Sequence, residues 1–283
     1  MNILNGKIAA EDLKIAVRNS IQYYNDAIKL AIIQVGNDDA SYTYIRNKKK
    51  ACEYVGICME TYHFDANINT QMIVDLIEDL NNNDSITGIL VQLPLPRHMD
   101  KEKIINTIDP LKDVDGFTFV NSGKLARNYK DIHLAPCTPK GIMTLLEYNQ
   151  LDVTSSNCVV VGRSNIVGRP MAELLTKANA TVTLCHSHTR NLKEICKQAD
   201  VLVCAIGMPK FFTAEYIKDG AIVIDVGMNR DKNGKLCGDV DFENVVKIPN
   251  GAITPVPGGV GPMTVATLMD NCMTAYKLQH NLL

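Results

Sequence analysis

Four basic side chains lie close together in the segment SYTYIRNKKKACEYVGI at 41–57, namely Arg46, Lys48, Lys49 and Lys50. Runs of charge on a helix usually face solvent, which is the simplest interpretation of this cluster. Residues three and four apart share one face of a helix, and this spacing divides the four bases. Lys48 falls on the apolar stripe with Ile45 and Cys52. Lys49 and Lys50 fall on more polar faces.

The position of Lys48 leaves two alternatives open. Its ammonium group could extend along the apolar stripe to solvent, as lysines often do. Alternatively, it lies in a partly dehydrated cleft, where burial disfavours the charged form and makes the amine usable as a general base. Tyr44 precedes Lys48 by one helical turn and could orient it through its hydroxyl group.

The composition is typical of a globular protein, with 46% hydrophobic and 21% charged residues in a chain of 283. This length suffices for two domains that each bury a core. A net charge of -2 produces no field that would attract nucleic acid or an anionic membrane surface, so we expect neither partner. Any bound anion must be held by a local site.

The cysteines and the N-terminal sequence indicate the compartment. MNILNGKIAAEDLK has no apolar segment after a basic start, so we expect no signal peptide. We also find no run of about 18 apolar residues that would predict a membrane span. The nine cysteines are scattered and form no C-x-x-C pair. They are typical of core residues in a reducing compartment, so we expect a cytoplasmic protein without a metal site.

Short apolar runs alternate with amphipathic segments along the chain, and continuous hydrophobicity predicts strands buried on both faces, as in parallel sheets. In the first half we predict strands at 29–36, 58–64 and 87–96, and helices at about 40–55, 70–82 and 101–108. In the second half we predict strands at 158–162, 181–186, 201–207 and 221–228, and helices at 168–179, 191–198 and about 262–278. The segment PCTPKG, 136–141, is predicted to connect the halves, and the second half has the repetition of a doubly wound α/β domain.

The turn after the strand at 158–162 reads GRSNIVGRP and could bind a nucleotide. Gly162 could form the tight turn, and Gly168 could let the next helix approach the sheet closely. Ser164 stands where the middle glycine of a G-x-G-x-x-G pattern would be. The following helix N-terminus would offer free N–H groups to a pyrophosphate. A glycine-rich turn can also be purely structural, but its place at the start of a βαβαβ series favours the nucleotide site.

The next strand ends in CHSHTR, 185–190, which has no acidic residue. An NAD site usually places Asp or Glu here to accept a hydrogen bond from the ribose 2′-hydroxyl group. The side chains that could instead donate to a 2′-phosphate are Ser187, Arg163, His188 and Arg190. An ordinary polar loop is the alternative; we interpret the segment as a site for NADP rather than NAD.

Seven segments together resemble one enzyme family: VGNDDASYTYIRNKKKACEYVGI, GILVQLPLP, DVDGF, PCTPKG, VVGRSNIVGRPM, VIDVGMN and ITPVPGGVGPMTVATLM. They are similar to bifunctional methylenetetrahydrofolate dehydrogenase/methenyltetrahydrofolate cyclohydrolase of the bacterial type, in the family's order from about residue 30 to 270. The resemblance implies two α/β domains with a cleft between them, the C-terminal one a Rossmann-like NADP-binding domain. Residues 1–140 plus 263–283 would form the catalytic folate-binding domain and residues 141–262 the NADP-binding domain of a homodimer.

The resemblance also implies which residues act in catalysis. The family's catalytic lysine and tyrosine fall on Lys48 and Tyr44. Its glutamine, in VQLPLP, falls on Gln92, and its folate-binding aspartate, in DVDGF, falls on Asp115. Both of the latter have structural alternatives, because a polar residue at the end of a buried strand needs a partner in any case and aspartate is common in turns.

Further contacts to substrate and cofactor are implied by the same resemblance. Besides those four, the expected substrate-binding residues are Val91, Leu93, Pro257, Gly258, Gly259, Val260 and Gly261. The expected cofactor-binding residues are Gly162, Arg163, Ser164, Ser187 and Met228. The glycines of 257–261 allow a close approach to ligands, although a tight strand-to-helix turn is the alternative. Many relatives have lysine in place of His188, a departure that leaves the strength of the NADP preference open.

The implied function belongs to one-carbon metabolism, which serves purine, methionine and histidine biosynthesis. A hydride passes from 5,10-methylenetetrahydrofolate to NADP⁺, and water then opens the resulting 5,10-methenyl cation to give 10-formyltetrahydrofolate. The first step needs alignment of donor and acceptor. The second needs a group that takes a proton from water and returns one to the leaving nitrogen, a role that suits Lys48.

Three alternatives are compatible with parts of the sequence. A monofunctional NAD(P)-dependent methylenetetrahydrofolate dehydrogenase would lack the hydrolase, and the intact set Tyr44, Lys48 and Gln92 argues against it. A non-enzymatic NADP-binding relative would have lost the polar residues of the cleft, and no such loss is evident. A two-domain dehydrogenase of the shikimate type would share the fold but would not explain VQLPLP together with PVPGGVGPMT.

Overall fold

The computed structural model describes residues 1–24, 26–36, 39–127 and 134–282. Its strands are β1 (Asn2–Ile3), β2 (Lys29–Val35), β3 (Cys58–Phe64), β4 (Gly88–Val91), β5 (Asn157–Val161), β6 (Thr181–Cys185), β7 (Val201–Cys204), β8 (Ile222–Asp225), β9 (Asn229–Arg230), β10 (Leu236–Cys237) and β11 (Ala252–Ile253). Its helices are α1 (Gly6–Tyr24), α2 (Asp39–Val55), α3 (Thr70–Asn81), α4 (Lys101–Thr107), α5 (Phe119–Ala126), α6 (Cys137–Tyr148), α7 (Gly168–Lys177), α8 (Leu192–Cys196), α9 (Phe242–Val245) and α10 (Val260–Gln279), with a 3₁₀ turn at Ala214–Tyr216. Within these ranges, none of the helices has the length and apolar character that a membrane span requires.

The chain divides into two compact units. Unit 1 consists of Met1–Ala10 and Thr138–Thr264, and unit 2 consists of Glu11–Cys137 and Val265–Leu283. Each unit has its own sheet and its own hydrophobic core. The predicted α/β class with parallel sheets is therefore confirmed.

Unit 1 contains a six-stranded sheet in the order β1-β11-β8-β7-β5-β6, and its neighbouring strands are parallel. The central strands β5, β7 and β8 consist mainly of Val, Ile, Leu and Cys, which suit a strand covered by helices on both faces. The strand order steps outward in both directions from β5, as it does in a doubly wound fold. The carboxyl ends of these strands therefore meet at one edge of the sheet.

Unit 2 contains a three-stranded parallel sheet in the order β3-β2-β4. Successive residues of β2 point to opposite faces. Leu30 and Ile32 join one buried cluster, which includes α2 and α10, whereas Ala31 and Ile33 join another, which includes α3 and α4. Each face of β2 thus has its own apolar cluster, which explains the unbroken apolar run LAII at 30–33 of this strand.

The N-terminal residues lie in unit 1, whereas the sequence suggested that residues 1–140 belong with the other domain. β1 pairs in parallel with β11, and the Met1 ammonium group donates to the carbonyls of Val246 (2.8 Å) and Ile248 (3.0 Å). A strand of two residues has no periodicity from which a pairing partner could be predicted.

Several predicted elements have different bounds in the structure. The strand predicted at 87–96 is only β4, Gly88–Val91, because prolines 94 and 96 lack the N–H group of a ladder residue. PCTPKG, predicted to connect the halves, contains the boundary between the two units and also the first turn of α6. The last helix begins at Val260, two residues before the predicted Pro262, and its first turn tolerates proline.

The sequence prediction omitted α1. Asn37 and Asp38 of the first family motif lie outside the described residues.

Candidate active site

A hydrogen bond in unit 2 joins Lys48 to Gln92. The Lys48 ammonium group donates to Gln92 Oε1 at 3.0 Å. The Gln92 amide NH₂ group donates in turn to the Leu93 carbonyl at 2.8 Å, and this second bond turns Oε1 toward the lysine. Gln92 follows the last residue of β4, and its backbone N–H donates to Ile33 of β2 at 2.8 Å. The end of the sheet therefore fixes the position of the amide that receives the lysine.

The exposure of the four bases on α2 matches the helical spacing. Arg46, Lys49 and Lys50 are exposed, whereas Lys48 is half-buried. Ile45 and Cys52, which were expected on the apolar stripe, are buried in the core of unit 2 together with Ala51 and Val55. Lys48 is therefore the base that the helix turns toward the interior. Its head group was expected either to extend to solvent or to lie in a partly dehydrated cleft. In the structure the ammonium group is partly buried and reaches the side chain of Gln92.

Tyr44 lies one turn before Lys48 on α2 and is half-buried. Burial raises the pKa of its hydroxyl group, so the phenol stays protonated and can donate a hydrogen bond. Both residues belong to one rigid helix, which fixes the spacing between the phenol and the amine.

Asp115 lies in the DVDGF segment of unit 2 and is half-buried. Burial raises the pKa of its carboxyl group, the neighbouring Lys48 ammonium and the Cys137 thiol lower it, and the net direction is upward. The effect of the Lys48 ammonium group on this carboxyl group places the two side chains in one environment. Tyr44, Lys48, Gln92 and Asp115 were predicted from separate motifs, and all four lie in unit 2.

The loop that carries Asp115 is held by residues that the sequence prediction did not select. Asp113 is buried and accepts hydrogen bonds from the backbone N–H groups of Phe117 (3.1 Å) and Thr118 (2.8 Å). Asn271 of α10 is fully buried, and its side-chain amide donates to the carbonyls of Val114 (2.8 Å) and Ala135 (2.9 Å). The signal available for Asn271 was a polar residue inside an apolar helix, which requires a partner.

In unit 1, the turn between β5 and α7 has no room for side chains at its two glycines. Gly162 has φ +124°, and a Cβ atom there would overlap the carbonyl of Ala205. A Cβ atom on Gly168 would overlap the carbonyl of Gly162. The predicted tight turn and close helix approach are therefore both present. A ligand phosphate can reach the backbone at such a turn because no side chain intervenes.

Ser164 stabilises the start of α7 through its side chain. Its hydroxyl oxygen accepts hydrogen bonds from the backbone N–H groups of Val167 (3.2 Å) and Gly168 (3.3 Å). Because a hydroxyl group is also a donor, its proton can still be directed to a ligand. The structural and the ligand-binding interpretation of Ser164 are compatible.

The tip of β6 gathers basic side chains next to the turn. The pKa of His186 is lowered by burial and by the positive charges of Arg163 and His188. This effect shows that the guanidinium group from the β5–α7 turn and the imidazoles of the β6 tip lie near one another. Ser187 and Arg163 are both exposed. The tip can therefore present donors to an anion, as the absence of an acidic residue from CHSHTR suggested.

Two other predicted segments lie close together in unit 1. Met228 is exposed, and a Cβ atom on Gly261 would lie 3.3 Å from its Cε atom. The segment 257–261 joins β11 to α10, with Gly258 at φ +113°. Pro257 is exposed, whereas Gly258, Gly259 and Val260 are buried. The segment 257–261 therefore forms the expected strand-to-helix turn, and it lies beside Met228, the expected cofactor residue.

The predicted residues form two sets. Tyr44, Lys48, Val91, Gln92, Leu93 and Asp115 lie in unit 2, and the glycine turn, the β6 tip, Met228 and 257–261 lie in unit 1. Unit 2 offers an amine, a phenol, an amide and a carboxyl group, which suit acid–base chemistry. Unit 1 offers backbone and basic side-chain donors, which suit a phosphorylated ligand. These features define the class as a nucleotide-dependent α/β enzyme of two units.

Comparison with protein families agrees with this class. Residues 4–115 match the model of the tetrahydrofolate dehydrogenase/cyclohydrolase catalytic domain, and residues 136–280 match that of the tetrahydrofolate dehydrogenase/cyclohydrolase NAD(P)-binding domain. The chain therefore belongs to the tetrahydrofolate dehydrogenase/cyclohydrolase family. The family and the pair of activities predicted from the sequence are confirmed, and the shikimate-type alternative is wrong.

Similar proteins support the same assignment. The bifunctional protein FolD of Agathobacter rectalis is 52% identical over 98% of this chain and 99% of its own length. The crystal structure of the bifunctional enzyme FolD from Campylobacter jejuni has a TM-score of 0.95 and 44% identity, with 99% of each chain covered. The Trypanosoma brucei enzyme, which was crystallised with NADP cofactor and inhibitor, has a TM-score of 0.92 and 34% identity over 98% of each chain.

Proposed function

We propose that this chain oxidises 5,10-methylenetetrahydrofolate to 5,10-methenyltetrahydrofolate with NADP⁺ and then hydrolyses the product to 10-formyltetrahydrofolate. The observation that carries the proposal is the 3.0 Å hydrogen bond between Lys48 and Gln92 in the unit that matches the catalytic family domain. Unit 2 then corresponds to the folate-binding catalytic domain. Unit 1 corresponds to the NADP-binding domain.

In the hydrolytic step, Lys48 acts as the general base toward water. Gln92 accepts a hydrogen bond from the lysine and so orients its amine. The methenyl substrate is a cation, and a positive charge beside the amine favours its neutral form. Lys48 can then take a proton from the attacking water and return one to the nitrogen that leaves when the ring opens.

Tyr44 and Asp115 position the substrate in this scheme. The protonated phenol of Tyr44 donates a hydrogen bond near the reacting carbon. Asp115, whose pKa is raised by burial, binds the pterin through paired hydrogen bonds. Val91 and Leu93 flank Gln92 and contact the folate from the end of β4.

NADP⁺, when bound, supplies the acceptor for the hydride. The two glycines of the β5–α7 turn leave the backbone accessible to its pyrophosphate, and Ser164 donates its hydroxyl proton there. Arg163 and Ser187 bind the 2′-phosphate at the tip of β6, with His188 where many relatives have lysine. The backbone at Met228 contacts the nicotinamide half. The complex of the Trypanosoma brucei relative with NADP supports the choice of this cofactor.

The proposal is tested by incubating the protein with 5,10-methylenetetrahydrofolate and either NADP⁺ or NAD⁺, while methenyl and formyl products are followed separately. We expect both products with NADP⁺ and slower turnover with NAD⁺. Turnover with neither cofactor would contradict the proposed function. Methenyl product that accumulates without enzymatic hydrolysis would instead indicate a monofunctional dehydrogenase.

A homodimer and a cytoplasmic location belong to the same proposal. The dimer would form mainly through the NADP-binding domain, as in the family. All nine cysteines are free thiols and eight are buried, which fits a reducing compartment. Light scattering of the purified protein should give twice the mass of the chain, and the mass of a monomer at micromolar concentration would exclude the dimer.

A further inference from the structure

A single buried carboxylate organises the loop that follows β7. Asp239 Oδ2 accepts hydrogen bonds from the backbone N–H groups of Ile206 (2.7 Å) and Gly207 (3.0 Å), and Asp239 Oδ1 accepts one from Met208 (2.9 Å). Gly207 has φ +69°. Successive N–H groups in such a conformation form a concave donor surface that holds an anion. Here the anion is a side chain of the protein itself.

The same carboxylate also fixes the segment after β8. The Asn229 side-chain amide donates to Asp239 Oδ1 at 2.8 Å, and Asn229 follows the expected cofactor residue Met228. Asp239 is fully buried, so four donors compensate for the loss of its hydration. One side chain therefore connects the two segments that leave the carboxyl ends of adjacent parallel strands, β7 and β8.

These two segments lie on one side of the glycine turn. In the sheet, β6 lies on one side of β5. On the other side lie β7 and then β8. A dinucleotide with its 2′-phosphate at β6 and its pyrophosphate at the β5 turn must extend its nicotinamide half over β7 and β8. The carbonyl of Ala205, just before the loop, already packs against Gly162 of the turn.

The backbone at Asp239 is held in place by a second buried aspartate, Asp225. Asp225, at the end of β8, accepts hydrogen bonds from the backbone N–H groups of Asp239 (2.9 Å) and Val240 (2.9 Å). Gly227 leaves no space for a Cβ atom against Asp239, and Gly238 leaves none against Asp225. In contrast to this rigid base, Met208 is half exposed and Gly207 has no side chain, so hydrogen bonds supply much of the restraint on the loop.

We propose that Asp239 is a positioning residue for the dehydrogenase reaction, which shapes Ile206–Gly207–Met208 and Asn229 into the surface that receives the nicotinamide half of the cofactor. This inference rests on the proposed use of NADP⁺. It assigns Asp239 no part in the hydrolysis, because that step needs no dinucleotide. A substitution should therefore separate the two activities.

The test compares Asp239→Asn with the wild-type protein. Each carboxylate oxygen of Asp239 accepts two hydrogen bonds in the wild-type protein. In the variant an NH₂ group replaces one of these oxygens and faces two donors in either orientation of the amide, so the loop must move. We expect the KM for NADP⁺ to rise about tenfold or more, and the KM for NAD⁺ to rise by the same factor because both cofactors share the nicotinamide half. Hydrolysis of added methenyltetrahydrofolate should keep its wild-type rate.

The matched control is Asp241→Asn, two residues further on. Asp241 accepts a hydrogen bond from the Asn244 side chain, which is exposed, and its substitution should change neither KM. If Asp239→Asn fails to fold, Asn229→Ala removes one of the four donors and should raise both KM values to a smaller extent. Unchanged KM values in Asn229→Ala, or in folded Asp239→Asn, would overturn the inference. A wild-type protein without NADP⁺-dependent turnover would instead overturn the proposed function.

Discussion

The two units place their functional groups in different ways. In unit 2 the groups are side chains on separate elements: Lys48 on α2, Gln92 after β4 and Asp115 in a loop held by Asn271. In unit 1 they are largely backbone groups, exposed by glycines at the β5–α7 turn and shaped by the carboxylate of Asp239. Truncation of a catalytic side chain should therefore impair the function of unit 2, whereas addition of a side chain at a glycine of the turn should impair the function of unit 1.

This difference follows from the two tasks. Proton transfer needs a titratable group, which only a side chain can supply. Recognition of a pyrophosphate needs several donors at short range, and backbone N–H groups at a helix N-terminus supply them without side-chain entropy.

Removal of the amine in unit 2 should have the largest effect. We expect Lys48→Met to reduce hydrolysis of added methenyltetrahydrofolate by a factor of about 100 or more, because the general base is lost. The measurement is the decay of methenyl absorbance relative to the uncatalysed rate. Lys49→Met is the matched control, since Lys49 is the exposed neighbour, and both activities should persist. A wild-type rate in Lys48→Met would exclude Lys48 as the base.

Addition of one methyl group in unit 1 should strongly reduce the dehydrogenase activity. In Gly168→Ala the new Cβ atom overlaps the Gly162 carbonyl, so the turn must shift. We expect dehydrogenase activity to fall about 100-fold, whereas hydrolysis of added methenyltetrahydrofolate persists.

Gly123→Ala is the corresponding control in a helix of unit 2. No heavy atom lies within 4 Å of a Cβ atom at that position. The control should therefore keep both activities and gain about 0.5–1 kcal/mol in unfolding free energy. Full dehydrogenase activity in Gly168→Ala would show that the close approach of α7 is dispensable.

The Arg163 side chain in unit 1 should matter for the choice between NADP⁺ and NAD⁺ rather than for binding of the dinucleotide as such. We expect Arg163→Ala to raise the KM for NADP⁺ about tenfold, because one charge-assisted hydrogen bond to the 2′-phosphate is lost. The KM for NAD⁺ should stay the same. Arg230→Ala, which removes an exposed arginine bonded to the Gly234 carbonyl, is the control. An equal rise for both cofactors would place Arg163 elsewhere on the dinucleotide.

The buried carboxylate at the end of β8 should give a pH-dependent effect on stability. Burial raises the pKa of Asp225 to about 7, against the opposing effect of backbone N–H groups including that of Val240. A carboxyl group whose pKa is higher in the folded state binds its proton more tightly there. Its contribution to stability is therefore present at low pH and is lost as the pH rises through about 7.

We expect the unfolding free energy of the wild-type protein, relative to that of Asp225→Asn, to decrease by about 1–3 kcal/mol between pH 5 and pH 8.5. An amide does not titrate, so the difference isolates this one group. Denaturant unfolding at both pH values measures it. A difference that stays constant with pH would mean that Asp225 is ionised throughout this range.

The longest strands, β2 and β3, were among the most predictable. The predicted bounds of β3 are those observed, and β2 and β5 differ by one residue at their ends. The two-residue strands β1 and β11 could not be predicted, because they exist only through their pairing with each other and with β8. The sequence of α1 has an amphipathic pattern. The boundary between the two units falls inside this helix, so neither end of α1 marks a domain boundary.

The sequence by itself determined the types and the local spacing of the functional groups. Helical periodicity placed Lys48 on the inner face of α2, and glycines at 162 and 168 predicted a close strand-to-helix turn. These features depend on neighbours within a few residues, whose geometry is set by the backbone alone.

Only the tertiary structure decided which distant groups meet. Lys48 and Gln92 are 44 residues apart, and they come together because β2, which precedes α2, pairs with β4 in the sheet. Asp239 is buried far along the chain from the loop after β7, and nothing in a single sequence indicates that its carboxylate receives four donors from 206–208 and Asn229. Contacts of this kind depend on strand order and packing, and these are decided by how the whole chain buries its apolar surface.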